Sequence, residues 1–244
     1  MSDKELTGKI APERIRMIEL PALPDGLLEG FRALGDATSA VSDALEEMGV
    51  QGCLGTSKLR GSTPGARLVG RALTLRNIPQ RENPLELARQ KTNKMAEIEA
   101  HNLAMPGDVL VIQGVHGCSN MGGVGAQIGL RQGEVGSIVD GGVRDMGQSR
   151  DAGYPIWAAE FTPISGKWRV ETVEINGTVI IAGLRVNPGD VVIADDSGVC
   201  FIPREIAPAV LEYAQKKTAA EHAQEARIAA GVSVPELAGK RKPA

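Results

Sequence analysis

Two segments of this 244-residue chain share one pattern: Met105-Pro106-Gly107-Asp108-Val109-Leu110-Val111-Ile112 and Asn187-Pro188-Gly189-Asp190-Val191-Val192-Ile193-Ala194. In each, a Pro-Gly turn delivers an unbroken apolar run rich in β-branched residues. Such a run has no face to offer water, so it reads as a strand covered on both sides, and a chain that builds two of them needs layers above and below its sheet. One matched pair does not make a repeat protein; these are two similar strand starts. Only 3% of the residues are aromatic against 42% hydrophobic, so the covering core must be aliphatic.

The remaining pattern supplies the layers. Apolar spacing predicts helices over Leu27–Leu34 and from Asp36 or Thr38 to a C-cap at Gly49. A turn at Gly65 feeds a strand over Leu68–Leu75, and Asn83-Pro84 reads as an N-cap and N1 proline opening one helix that runs to about Leu103. Between the two Pro-Gly strands come a glycine-rich loop (Gly114–Gly125), a helix (about Ala126–Arg131) and a strand (Val135–Val139). A short helix or turn over Gly147–Gly153 and a strand over Tyr154–Ala158 follow. Val173–Ile175 and Thr178–Ile181, joined by Asn176-Gly177, read as a hairpin. A last amphipathic helix runs from near Arg204 to near Gly231, and the tail with Lys240, Arg241, Lys242 and Pro243 reads as loose. Alternating strands and helices followed by antiparallel elements predict an α/β layered sheet in one domain. The expected division is an arm over 1–25, a core over 26–205, and a C-terminal helix and tail over 206–244.

A net charge of −3 without a basic block argues against a nucleic-acid surface. No apolar run is long enough to span a bilayer, and the N-terminus lacks a secretory core, so no membrane partner is expected. Cys53, Cys118 and Cys200 are odd in number and widely spaced, with no CxxC or zinc pattern, which fits a reducing cytoplasm. Cys200 reads as core; Cys118, in the glycine-rich loop, is the cysteine to test for reactivity.

Chemistry concentrates in Ser137-Ile138-Val139-Asp140-Gly141-Gly142-Val143-Arg144-Asp145. An apolar strand runs into two glycines, read as a turn, and Arg144 and Asp145 emerge directly after it. A guanidinium there can grip a carboxylate in a bidentate fork, and the neighbouring carboxylate can hold a hard divalent cation. The loop before it, Gln113 to Gly125, leads from a buried strand into a helix, so its backbone N–H groups can converge on an anion at the helix start. No Gly-Lys-Ser/Thr follows, so it is not a P-loop, and its glycine spacing fails the dinucleotide fingerprint. No lysine is placed for a Schiff base: Lys91 and Lys94 fall on a polar helix and Lys167 on a loop.

At these residues the chain resembles the RraA-like family, which includes 4-hydroxy-4-methyl-2-oxoglutarate and 4-carboxy-4-hydroxy-2-oxoadipate aldolases. The elements that carry the resemblance are Ser42-Asp43-Ala44-Leu45 with Gly49, Pro64 to Gly70, Pro106 to Val111, Asp140 to Asp145, Gly153 to Trp157, and Asn187 to Val199, in order over roughly residues 30 to 205. The resemblance implies an αββα sandwich of the swivelling β/β/α type, assembled as a homotrimer or homohexamer with sites at subunit interfaces. It implies Mg²⁺ or Mn²⁺ held by Asp145, a small keto-acid substrate whose pyruvyl carboxylate is bound by Arg144, and backbone amides of Gly122, Gly123, Val124 and Gly125 completing that site. The implied reaction is carbon–carbon cleavage by a class II aldolase or an oxaloacetate decarboxylase, through a pyruvate enolate stabilised by the ion and Arg144.

One departure stands out. The family's enzymes usually carry Asp or Glu after the glycine that opens the helix; here that position is Gly123 counted from Asp140, or Gly125 counted from Gly107. His116, Ser119 and Asn120 are the substitutes in the same loop, His116 being a substrate-binding candidate. Asp43 reads as a helix-face carboxylate, Asp195 and Asp196 as turn residues, and His101 as a cation at a helix end. The alternative function is a non-catalytic regulator that binds a protein partner, since the family's namesake inhibits a ribonuclease; that namesake lacks the aspartate after the arginine, which Asp145 supplies here. Methyl transfer, an old family label, finds no S-adenosylmethionine-type glycine site.

Overall fold

Both Pro-Gly turns are closed by the aspartate that follows them. The Asp108 carboxylate accepts from the Met105 amide at 2.8 Å, and the Asp190 carboxylate from the Asn187 amide at 2.8 Å. Gly107 and Gly189 each sit at φ +90°, a conformation in which a side chain is strained. The computed structural model describes residues 4–239. Its strands are β1 (Cys53–Gly55), β2 (Arg60–Gly61), β3 (Leu68–Pro79), β4 (Asp108–Gln113), β5 (Ser119–Met121), β6 (Gly136–Val143), β7 (Ile156–Phe161), β8 (Val170–Ile175), β9 (Val179–Ile181), β10 (Leu184–Val186), β11 (Val191–Asp195) and β12 (Gly198–Ile202). The helices are α1 (Leu27–Arg32), α2 (Thr38–Glu47), α3 (Pro84–Gln90), α4 (Glu97–Leu103), α5 (Gly123–Gln132), α6 (Met146–Asp151), α7 (Ala207–Ala229) and α8 (Val234–Leu237).

The strands pair in the order β1-β12-β11-β3-β4-β6-β7-β2, with β5 beside the end of β6 and β8 beside the end of β3; β9 and β10 form a separate hairpin. Pairing from β3 through β4 and β6 to β7 is parallel, whereas β11, β12 and β1 run antiparallel to their neighbours. β3 is the shared staff: Leu68–Arg71 pair with β11 and Leu75–Pro79 with β8 along one edge, while Arg71–Arg76 pair with β4 along the other.

Each strand serves two cores, because alternate side chains leave opposite faces. Val109, Val111, Ile138 and Trp157 of the parallel half pack with Val192, Ala194, Val199 and Phe201 of the antiparallel half in a central layer. Leu110, Ile112 and Val139 point the other way, onto Ala100 and Leu103 of α4 and Ala126 of α5. Val191, Ile193, Cys200 and Ile202 point onto Phe31 of α1, Val41 and Leu45 of α2, and Val210 and Ala214 of α7. The result is an αββα sandwich in a mixed α/β single domain, and each fully buried aliphatic side chain contributes about 1.5–3 kcal/mol of transfer free energy. The N-terminal arm lies on the α4 side, with Ile10 in that core and Thr7 bonded to the buried Glu99 carboxylate.

Four local expectations are corrected. The single helix over residues 84–103 is two helices: Lys91 adopts φ +55°, and the Asn93 side chain accepts from the Met95 amide, so α3 ends and the chain restarts at α4. The Gly114–Gly125 loop contains β5, and the helix after it begins at Gly123 rather than Ala126. Gly141 and Gly142 form no turn; β6 continues through them to Val143 with a bulge against β7. Asn176-Gly177 closes no hairpin: β8 pairs with β3, and the hairpin is β9–β10, turning through Ala182 and Gly183 at φ +45° and +95°. The expected tail over Lys240–Pro243 lies outside the described residues.

The glycines of β6 are required by packing. A Cβ at Gly141 would stand 2.5 Å from Asn120 Nδ2 and 2.9 Å from the Val115 carbonyl oxygen. Gly141→Ala is therefore expected to lower unfolding free energy by about 1–3 kcal/mol, the usual cost of overpacking, read as a reduced urea midpoint. An unchanged midpoint would mean that the Asn120 loop does not seat on β6.

Candidate active site

Asn120 fixes where the glycine-rich segment lies. Its buried carboxamide donates to the carbonyls of Val115 (2.9 Å) and Gly142 (3.2 Å) and accepts from the Val115 amide (2.8 Å) and Asn77 Nδ2 (3.2 Å). Ser119 Oγ donates to the Met121 carbonyl at 2.6 Å. Both residues are therefore committed to the backbone and do not stand in for a catalytic acid. They hold β5 against β6, so that the turn into α5 and the turn after β6 reach the same sheet end, and the Arg144 amide donates to the Met121 carbonyl at 3.2 Å.

At that end Asp145 adopts φ +57°, ψ +40°, which an aspartate tolerates better than most side chains. The twist folds its carboxylate back toward α5: Oδ2 lies 3.3 Å from Arg144 Nε and accepts from the Gly123 amide at 3.4 Å. Gly122 permits this approach, since a Cβ there would stand 2.7 Å from Asp145 Oδ2. Arg144 and Asp145 remain 35% and 38% exposed. Among the described residues, the other Arg144 nitrogens have no protein partner and α5 has no side-chain cap. A free guanidinium edge and the first-turn amides of α5 beyond Gly123, whose own amide is taken by Asp145, thus face one hollow, a combination suited to an anion.

The hollow is a cavity of ≈ 230 Å³ lined by Glu97, Ile98, Gly122, Val124, Gly125, Ile128, Arg144, Asp145 and Lys167. The sequence-expected residues Arg144, Asp145, Gly122, Val124 and Gly125 are thereby brought together, whereas Gly123 is turned against Gln148 of α6. His116 is not among the lining residues. It is 59% exposed and held between Asp140 (3.1 Å) and Glu160 (2.9 Å). A larger hollow of ≈ 610 Å³ beside residues 22–26 includes Arg71 and Asp108, but these already satisfy each other at 2.8 Å.

Two cavity residues were missed by sequence reasoning. Glu97 opens α4, and only the helix break at Lys91–Asn93 places it there; the polar run Lys91-Thr92-Asn93-Lys94 was the signal. Burial pushes the Glu97 carboxyl above the usual glutamate range, while His101, Lys167 and Arg144 pull it partly back. Lys167, read as a loop lysine not placed for a Schiff base, lines the same cavity. The glycines at the family's acidic position are explained by neighbours in that space: a Cβ at Gly123 would lie 2.1 Å from Gln148 Oε1, and one at Gly125 would lie 2.9 Å from His101 Nε2.

His101 is no exposed helix-end cation. It is fully buried one turn along α4 from Glu97, and Nδ1 lies 3.0 Å from the buried Glu134 carboxylate. Glu134 also accepts from the Tyr154 hydroxyl, whose pKa burial pushes well up, and Ser137 Oγ lies 2.6 Å from that hydroxyl. With Tyr154 donating to Glu134, Ser137 donates to Tyr154, and a carboxylate acceptor places a proton on His101 Nδ1. His101 Nε2 has no hydrogen-bond partner. Elsewhere, Asp43 pairs with Lys217 at 3.0 Å, Asp195 accepts from the Thr38 amide at the start of α2, and Asp196 accepts from the Gly65 amide.

The RraA-like model (Aldolase/RraA) matches residues 38–201, more than half of the chain, and the chain belongs to that family. It is 29% identical over 196 residues to Protein DlpA of Legionella pneumophila, covering 80% of this chain but only 30% of that protein's length. It is 29% identical over 197 residues to a Halalkalibacterium halodurans protein provisionally named 4-hydroxy-4-methyl-2-oxoglutarate aldolase, covering 80% and 86% of the two chains. Among solved structures, Streptomyces coelicolor RraAS2, described as an unusual member of the RNase ES inhibitor RraA protein family, superposes with a TM-score of 0.68 at 27% identity over 84% of this chain and 98% of its own.

The raised Glu97 carboxyl makes a stability prediction. A folded pKa above the unfolded value of about 4.5 means that the folded state holds the proton longer, so stability falls as pH rises from there through the folded pKa. Glu97→Gln lacks this loss: relative to wild type it should gain thermal stability at about pH 7 and none at about pH 4. Equal differences at both pH values would contradict the upward shift of this half-buried carboxyl.

Proposed function

We propose that the chain is a divalent-metal-dependent carbon–carbon lyase acting on pyruvyl-type keto acids, as an aldolase of 4-hydroxy-4-methyl-2-oxoglutarate type or an oxaloacetate decarboxylase. The observation that carries this reading is the convergence of Arg144, Asp145 and the start of α5 at Val124 and Gly125 on one cavity with Glu97. Arg144 receives the substrate carboxylate in a bidentate fork, and the α5 amides add fixed positive dipole beside it. Both stabilise the negative charge that develops on the pyruvyl fragment as its carbon–carbon bond breaks. Glu97, half-buried in the same wall, moves the proton to and from the methyl carbon, the work that an ionisable group of raised pKa suits.

No group of three or more His, Cys, Asp or Glu side chains able to hold a metal occurs among the described residues. The donor set nevertheless fits Mg²⁺ or Mn²⁺, because such ions keep several waters and take one or two carboxylates plus substrate oxygens. Asp145, part-exposed and all-oxygen in its chemistry, would hold the ion. When bound, it would supply Lewis-acid polarisation of the 2-keto oxygen.

The assembly we propose is a homotrimer or homohexamer in the cytoplasm. Val124, 66% exposed at the cavity rim, is an apolar side chain that a neighbouring copy would cover. The reading is preferred to a non-catalytic regulator because Asp145 is present and folded onto the α5 turn.

Pyruvate release from oxaloacetate and from 4-hydroxy-4-methyl-2-oxoglutarate, assayed with Mg²⁺ and with chelator, tests the proposal. Arg144→Ala is expected to lower kcat/KM by about 10²-fold or more with an unchanged melting curve, and Asp145→Ala to abolish the metal-dependent part at a stability cost of about 1 kcal/mol, since alanine strains the left-handed turn and loses the Gly123 bond. Near-wild-type turnover in either variant would remove these residues from the site, and no turnover with Mg²⁺ in the wild type would favour the regulator.

A further inference from the structure

Two of the three cysteines, remote in sequence, meet across a strand pair. In the β1–β12 ladder Cys53 stands directly opposite Cys200, and their sulfurs lie 2.9 Å apart. The Phe201 amide donates to the Gly52 carbonyl at 2.7 Å, which flanks the pair with a backbone bond and makes it the non-hydrogen-bonded kind. At such pairs the Cα atoms are about 4.5 Å apart, within the roughly 4.4–6.8 Å that a disulfide spans. A cavity of ≈ 200 Å³ opens beside them, lined by Thr38, Ser39, Ser42, Cys53 and Cys200 among others, and shares no residue with the Arg144 cavity. Cys53 is half-buried and Cys200 fully buried.

We propose that Cys53 and Cys200 form a peroxide-reactive dithiol that closes into a cross-strand disulfide. Hydrogen bonds from Cys200 and from Ser42 pull the Cys53 thiol down, against its burial and the nearby Glu46 charge, whereas Cys200 is pushed up by its bond to Cys53 and by burial. Cys53 is thus the thiol that ionises more readily and Cys200 the proton-bearing partner, and the thiolate form is the nucleophile. The Cys53 thiolate attacks one oxygen of hydrogen peroxide, the O–O bond breaks, and the hydroxide that leaves takes up the proton Cys53 released on ionising, giving a sulfenic acid and water. Cys200 then attacks the Cys53 sulfur; the S–O bond breaks, the hydroxyl leaves with the Cys200 proton as a second water, and the S–S bond forms. In sum two thiols are oxidised and one peroxide is reduced to two waters. The bond ties the edge strand β1 to β12 across more than half the chain, a long closed loop whose restriction disfavours the unfolded state.

The full chain is treated with hydrogen peroxide under native conditions, then mapped by mass spectrometry after alkylation. The expected result is a linked Cys53–Cys200 peptide lighter by two hydrogens, Cys118 still alkylated, and free thiols falling from three to one. Tm should rise by several degrees and return with dithiothreitol. Cys53→Ser and Cys53→Ala should each keep both remaining thiols and show no Tm shift. Three persistent thiols, oxidation at Cys118 instead, a Cys53 sulfinic acid without a cross-link, or a linked protein of lower Tm would each overturn the proposal.

Discussion

The buried Asn120 carboxamide is the constraint on which the site end of the molecule depends. It satisfies backbone groups of the loop that carries it and of β6, and it reaches Asn77 on β3. Removing it would strand buried donors and acceptors at a cost of about 1–3 kcal/mol for each group. It needs glycine at 114 and 141, where a side chain would collide with it. Because β5 is seated in this way, the start of α5 and the Arg144-Asp145 turn leave neighbouring strands side by side. The start of α5, the guanidinium and the carboxylate then share a cavity without any of them having to bridge a distance.

The layered core and the cavity are joined through α4. Its inner face fills the outer core of the parallel half with Ala100 and Leu103, and the same helix carries Glu97 into the cavity and His101 into the Glu134–Tyr154–Ser137 network. The α5 glycine at 125 leaves room for the imidazole. Glycine at 123 and 125 leaves the space beside α5 to Gln148 and His101, and the carboxylate that lines the cavity beside Asp145 is Glu97.

Much of this was legible in the sequence, for physical reasons that differ by element. Continuous apolar runs after Pro-Gly-Asp located β4 and β11, because only a strand covered on both faces tolerates them. The Arg144-Asp145 turn was legible as an adjacent cation and carboxylate at a strand end. Long-range pairing was not: Asn176-Gly177 carries a hairpin signal, yet Asn176 accepts from the Thr74 amide and Thr74 donates to the Gly177 carbonyl, so tertiary bonds to β3 override it. Glu97 was hidden because its place depends on where one helix stops and the next starts. The opposition of Cys53 and Cys200 follows from antiparallel register between strands 147 residues apart.

The central claim is that this cavity binds a pyruvyl acid and moves a proton at its methyl carbon, and exchange reports on that step without a full turnover. Pyruvate in D₂O, incubated with the protein and Mg²⁺ and followed by proton NMR, should lose its methyl signal with the wild type. The signal should persist with Arg144→Ala and decay far more slowly with Glu97→Gln. A methyl signal as stable with the wild-type protein as in buffer would contradict the account.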